Sequence, residues 1–405
     1  MGVDGNRFSV RRVRHRDGSQ SFWIFTPDLE VHRPSLTVLT RYGTSTQQTY
    51  AYSLVDHLNW LRANGKTPDV ITFDELQRYM NGVTGQVDGV YGAAWRQPTR
   101  KPIGPSAAGN VATVVKAYYL ALAASGGASP ELAEALRSNA AARQSKSGRP
   151  GQGNPLAPKV NTRRPRFLPD ETVQALFEPG VLTSARDVMV LTWLHDGGLR
   201  VGGLCGLRFS DLHLRRNHEC GQRADPHIHV IGRDDNPNGA RAKAYAPTVA
   251  GRDGSVVDGV IRAVSPDMIS TFHAYLLDEF HPISHLVNHE QVLVHLAGRT
   301  PGAALATAGV RKMLARACRR AGLLVQVTPH GFRHKAAAAL YAESDFNAEL
   351  VAQEFGWTSP QMVTDLYGKS ANRHAMQHLQ QAWDATARPP TEPYLEPTPG
   401  SEVPQ

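Results

Sequence analysis

HGFRHKAAAALYAESDFNAELVAQEFGWTSPQMVTDLYGKS, residues 330–370, is the stretch on which the reading of this chain turns. Thr328-Pro329 precedes it and opens a helix, with proline where a missing backbone N–H costs nothing. His330 and Arg333 stand three apart, so both face one side of the first helical turn, where unpaired N–H groups also favour an anion. Farther on, Ser359-Pro360 restarts a short helix that carries Tyr367 and follows Trp357. The segment thus joins phosphate-binding side chains to tight turns.

Working outward, two further segments join cationic side chains to tight turns. In WLHDGGLRVGGLCGLRFSDL, residues 193–212, an apolar helix stops at Gly197-Gly198 and the next begins at Arg200, so the arginine can turn inward. In DDNPNGARAKAYAP, residues 234–247, a turn-rich hairpin follows a strand at 227–231. Helices are expected at 184–195, 266–279, 306–321 and 335–342, with a β-rich interval at 227–257. The fold class that follows is mainly α with a small β-sheet, an α+β arrangement for this half of the chain.

Upstream, the pattern is helical over 36–140. Ser45 and Gln48 form an expected capping box, Tyr50, Leu54, Leu58 and Leu61 recur on one helical face, and Thr72 with Glu75 marks a second start. Residues 1–35 read as a short strand-forming start around 21–25. Between the two halves, 141–166 carries Arg143, Lys146, Arg149, Lys159, Arg163, Arg164 and Arg166 with no acidic residue among several Gly and Pro, and reads as a basic linker. The tail, 389–405, is proline-rich and expected to be disordered.

These landmarks resemble the tyrosine recombinase, or phage integrase, family. The ordered set carries the likeness, since each short motif occurs by chance. The resemblance implies a helical core-binding domain over 36–140 and a catalytic domain over 167–388. It implies that Arg200 is the first catalytic arginine, that Lys243 is the hairpin lysine, with Arg241 as its rival because hairpin register is hard to read from one sequence, and that His330 and Arg333 are the H-x-x-R pair. Trp357 then stands at a position that is His or Trp in the family, and Tyr367 is the nucleophile. Its implied activity is site-specific cutting and rejoining of DNA strands through a 3′-phosphotyrosyl link, in the integration, excision or transposition of a mobile element. The implied partners are double-stranded DNA and a homo-tetramer on two DNA sites, with the segment 370–387 docking onto a neighbour. An accessory DNA-bending or directionality protein is an open partner. Two departures stand out: Gly203 replaces the usual acidic residue, and Phe209 the usual tryptophan near Asp211. A type IB topoisomerase-like enzyme and a catalytically weak DNA-binding protein on the same fold are the alternatives.

Composition agrees with a DNA partner without demanding one. The 405 residues carry 44 Lys and Arg against 36 Asp and Glu, a formal charge of +8, which suits a polyanion. The three cysteines, Cys205, Cys220 and Cys318, form no CxxC pair, so neither a disulfide framework nor a zinc ribbon is indicated. His213, His218, Cys220, His227 and His229 cluster in sequence, but their H-x-C and H-x-H spacings match no common zinc pattern, and an exposed loop is expected there. No metal and no cofactor are expected. Without an apolar run of membrane length or a signal-like start, the expectation is a cytoplasmic protein with no membrane partner.

Overall fold

Thr72 accepts from Glu75 N while the Glu75 carboxylate accepts from Thr72 N, so the box read from the sequence does start a helix. The computed structural model that shows this describes residues 7–16, 19–85, 102–137, 154–158, 168–244, 247–250 and 255–368. The chain divides into two units, 1–163 and 164–405.

The first unit joins an antiparallel hairpin, β1 (Ser9–Arg14) and β2 (Gln20–Phe25), to five helices: α1 (Arg33–Leu39), α2 (Thr44–Ala63), α3 (Phe73–Thr84), α4 (Pro105–Ala124) and α5 (Pro130–Arg137). The hairpin is no separate segment, because Phe22 and Ile24 on one face of β2 are buried in the same core as Leu54, Trp60, Tyr79 and Val115. It also overturns the expected box at Ser45. Helix α2 starts at Thr44 with Gly43 as a cap lacking a side-chain bond. Its first turn is tied instead to β2: the Thr44 hydroxyl donates to Gln20 O at 3.1 Å and Gln47 Oε1 accepts from Phe22 N at 2.7 Å. Leu156, inside the expected linker, is buried against this core. Helix α4 is apolar and long enough, by length and composition, to cross a membrane, contrary to the expectation of no such run. Its Val111, Val114, Tyr118 and Tyr119 lie in the core of the unit, and a core helix passes the same test.

The second unit is built on α6 (Asp170–Phe177), α7 (Ala185–His195), α8 (Val201–Gly206), α9 (Pro266–Tyr275), α10 (His281–Ile283), α11 (Thr307–Arg320), α12 (Pro329–Glu343), α13 (Ala348–Phe355) and α14 (Pro360–Tyr367). A four-stranded sheet lies among them: β3 (Leu212–His213), β4 (His227–Ile231), β5 (Pro247–Ala250) and β6 (Val256–Ala263), in the order β3-β4-β6-β5 with every pairing antiparallel. Trp193, Leu194, Met268, Tyr275, Leu314 and Phe332 share one core, and α12 to α14 close a smaller one around Tyr341, Val351, Phe355 and Tyr367. The mainly helical class with a small sheet holds. Apart from 154–158, the expected linker 141–166 lies outside the described residues, as do the expected docking segment 370–387 and the tail 389–405.

Candidate active site

Two helix ends build the site. Helix α7 stops at Gly197-Gly198, where Gly198 takes φ +55°, and α13 stops at Gly356, with φ +60°. Each stop leaves carbonyls without helical partners, and two arginines from elsewhere in the unit fill both sets. Arg333, from the first turn of α12, donates Nη1 to Gly198 O at 3.0 Å and Nη2 to Phe355 O. Arg262, from β6, donates to Gly197 O and Glu354 O, one residue earlier at each end. Phe355 lies against both guanidinium groups, at 4.2 Å from Arg262 and 5.1 Å from Arg333. A side chain at 198 would strike Phe355 Cε1 at 2.6 Å, so glycine there is required by both backbone angle and space.

Arg333 is only 3 % exposed. Its pKa is pushed down to about 8, first by burial and then by Arg200 and Arg262. Among the described residues, Arg333 Nε is buried with no hydrogen-bond partner. The neutral carbonyls orient this guanidinium without cancelling its charge, and the unused donor suits an anion.

Tyr367, at the end of α14, is fully buried, and its hydroxyl lies 2.7 Å from His334 Nδ1. Burial pushes its pKa well above the ordinary value, while Arg333 pulls the other way. His334 is pushed down to about 4 by burial, then His330 and Arg333, and is therefore neutral near pH 7. Trp357 completes the wall, with its ring 5.9 Å from Tyr367 and 5.3 Å from the Arg333 guanidinium. His330 sits at the rim, its ring 4.2 Å from His334, and its pKa is lowered by burial, Arg333 and Arg200. Thr328 caps α12 by accepting from Gly331 N, which holds His330 and Arg333 in the first turn, and Ser359 caps α14 by accepting from Gln361 N.

Arg200 and Lys243 meet through the backbone: Arg200 Nη1 donates to Lys243 O at 3.0 Å. The rival Arg241 is engaged by Asp234, at 2.7 and 2.9 Å through two nitrogens, whereas the Lys243 side chain is exposed. The expected hairpin is a loop here, because β4 pairs with β6 and not with β5. It can approach because residue 202 is glycine; a Cβ there would sit 2.3 Å from Arg241 O. Gly202→Ala should therefore push this loop off α8 and cost about 1–3 kcal/mol, read by chemical denaturation. An unchanged midpoint would show that the loop yields freely.

All six expected residues lie in this unit, and Arg333, Trp357, Tyr367 and His330 share one neighbourhood. Two expectations change. The histidine that touches the phenol lies outside the H-x-x-R pair: it is His334, which faces Tyr367 from α12. The histidine and cysteine cluster is no exposed loop: His213, His227 and His229 are buried, because strand pairing stacks them on one face of the sheet. Gly203 has a steric reason, since a Cβ there would lie 2.8 Å from Val230 Cγ1. A carboxylate there would require Val230 to shift; Asp211 is paired with Arg233 at 2.6 and 2.7 Å. Phe209 packs edge-on to Phe280 at 5.1 Å. Arg262 was missed entirely, because a charged residue within a β-rich run reads as outward-facing.

Residues 269–374 match the model of the Phage integrase family. Transposase A from transposon Tn554 of Staphylococcus aureus is 26 % identical over 53 % of this chain and 52 % of its own length. Tyrosine recombinase XerC of Chromohalobacter salexigens is 27 % identical over 57 % of this chain and 65 % of its own. The chain thus spans about half to two thirds of the length of these curated relatives. Among solved structures, the Tn1549 transposon integrase (residues 82–397), in complex with circular intermediate DNA, is 13 % identical with a TM-score of 0.53, over 83 % of this chain and 94 % of that one. That likeness concerns the fold.

Proposed function

We propose, from the premise that this chain belongs to the phage integrase (tyrosine recombinase) family, that it cuts and rejoins DNA strands site-specifically in the movement of a mobile element. The observation that carries the reading is a phenol held near a buried arginine that donates to two backbone carbonyls and, among the described residues, keeps its Nε without a hydrogen-bond partner. That pairing supplies a nucleophile and a charged donor for a phosphate oxygen.

The steps follow from the chemistry of the groups. The Tyr367 oxygen attacks phosphorus, the P–O5′ bond breaks, and a 3′-phosphotyrosyl link forms with release of a 5′ hydroxyl. Arg333 and Arg200 stabilise the extra negative charge of the five-coordinate transition state without a metal. Neutral His334 accepts the phenol proton and Trp357 braces the ring, while His330 at the rim can hydrogen-bond a phosphate oxygen. Lys243 donates the proton that the departing 5′ oxygen needs. Because the link stores the phosphoester bond, attack by a 5′ hydroxyl reverses the step and reseals a strand with no external energy source. The likeness to a transposase and to a Xer recombinase supports exchange between two DNA sites, and a tetramer on those sites is the assembly this requires.

Incubation with nicked duplex from the ends of the element that encodes the chain, followed by a denaturing gel, tests the reading. A covalent protein–DNA adduct is expected; tight binding without adduct would leave only a DNA-binding protein. The role of Lys243 has its own check. A 5′-bridging sulfur leaves without protonation, so it should restore Lys243→Ala by about 10²-fold or more and leave Arg333→Ala unrestored. Rescue of Arg241→Ala instead would move the proton donor to the rival residue.

A further inference from the structure

We propose that His213, Cys220, His227 and His229 bind a zinc ion that staples the 214–226 loop to the sheet of the second unit. One nitrogen from each histidine and the Cys220 sulfur lie within 4.8 Å of one another. A tetrahedral zinc with ordinary bond lengths sets its donors about 3.3–3.6 Å apart. Cys220 Sγ and His227 Nε2 already stand at 3.2 Å, so the rest need close by only a fraction of their present separation.

Strand pairing creates the donor set. His213 and His227 are direct partners across β3 and β4, and their rings stack 4.9 Å apart at 10°. His227 and His229 are two apart on β4 and so point to the same face; the His229 ring lies 4.1 Å from that of His213. Cys220 then arrives from the loop joining the two strands.

Second contacts orient these donors as metal sites require. His227 Nδ1 donates to Asp225 O at 2.7 Å, which leaves Nε2 to face the cluster. His229 Nε2 is buried with no hydrogen-bond partner among the described residues, although the residue is 5 % exposed and nothing there repays its lost hydration. Three imidazoles and one thiol, with no carboxylate, select zinc over magnesium or calcium. Four protein donors also fill a tetrahedron and leave no open position, so the role is structural.

The staple would reach the active site through one relay. Arg223, in the same loop, pairs with Glu354 at 3.4 Å. Glu354 in turn pairs with Arg262 at 3.2 Å and accepts from Ala263 N, at the helix end whose carbonyls hold Arg262 and Arg333.

The test uses the full chain, stripped of metal and then reloaded with zinc or cobalt(II), and reads metal rather than DNA, so its outcome is independent of the recombination reading. Uptake of about one ion per chain is expected. Cobalt should show the visible absorption of a tetrahedral site and a thiolate-to-cobalt band in the near ultraviolet. Cys220→Ala should abolish that band, and His229→Ala should weaken retention against a chelator by roughly 10²-fold or more. His218→Ala should keep the band, since His218 contacts His213 without belonging to the set. In the unmutated chain, zinc should shield Cys220 from alkylation, because metal binding replaces its thiol proton. Failure of the folded chain to take up stoichiometric metal, equal alkylation of Cys220 with and without zinc, or a band surviving Cys220→Ala would each overturn the proposal.

Discussion

Tyr367→Phe is expected to reduce covalent adduct by at least about 10⁴-fold, to the detection limit, with DNA affinity kept within a few-fold. The substitution removes one oxygen. The ring stays packed against Trp357 and Tyr341, at 5.9 and 6.5 Å between centroids, so the fold has little reason to change. Loss of the His334 contact costs on the order of 1 kcal/mol. Adduct persisting in this variant would assign the nucleophile to another residue. The Tyr367 hydroxyl lies 2.7 Å from His334 Nδ1, so its proton can pass to His334 as the oxygen attacks. His334→Ala should therefore slow the first step by about 10²-fold without eliminating it, a milder effect than loss of the oxygen.

Arg333→Lys is expected to cost roughly 10²–10³ in cleavage rate, with a much smaller loss of DNA affinity. A guanidinium is planar and can span Gly198 O and Phe355 O while keeping a donor for phosphate. An ammonium has no such fork, and in a site this buried it also sheds its proton more readily. One of the two carbonyls would lose its donor, so a modest drop in stability should accompany the rate loss. Single-turnover cleavage at saturating DNA separates the two effects; equal losses in rate and affinity would reduce Arg333 to a backbone contact. Arg200→Lys offers the comparison, because Arg200 is partly exposed and donates to Lys243 O. Its rate loss should come with less destabilisation.

The residues of the site were legible where chemistry and local geometry coincide. Thr328-Pro329 and Ser359-Pro360 mark helix starts, Gly197-Gly198 a helix stop, and three-residue spacing puts His330 and Arg333 on one turn, all within a few bonds of chain. Those signals set the helical class and the order of the motifs, because hydrogen bonds of caps and turns depend on neighbours in sequence, whereas the roles of the six side chains came from the resemblance to the recombinase family. What holds Arg333 was not legible, since its two carbonyl partners come from the ends of α7 and α13 and meet only when those helices pack. Arg262 escaped notice for the same reason. His334 was visible as a letter but not as the partner of Tyr367, a contact 33 residues away. The cluster of His213, Cys220, His227 and His229 shows the limit most sharply. Its spacing along the chain resembles no metal motif, yet the register of β3 on β4 sets His213 opposite His227 and turns His229 to the same face. Register is a property of two strands and the loop between them, and no single strand encodes it.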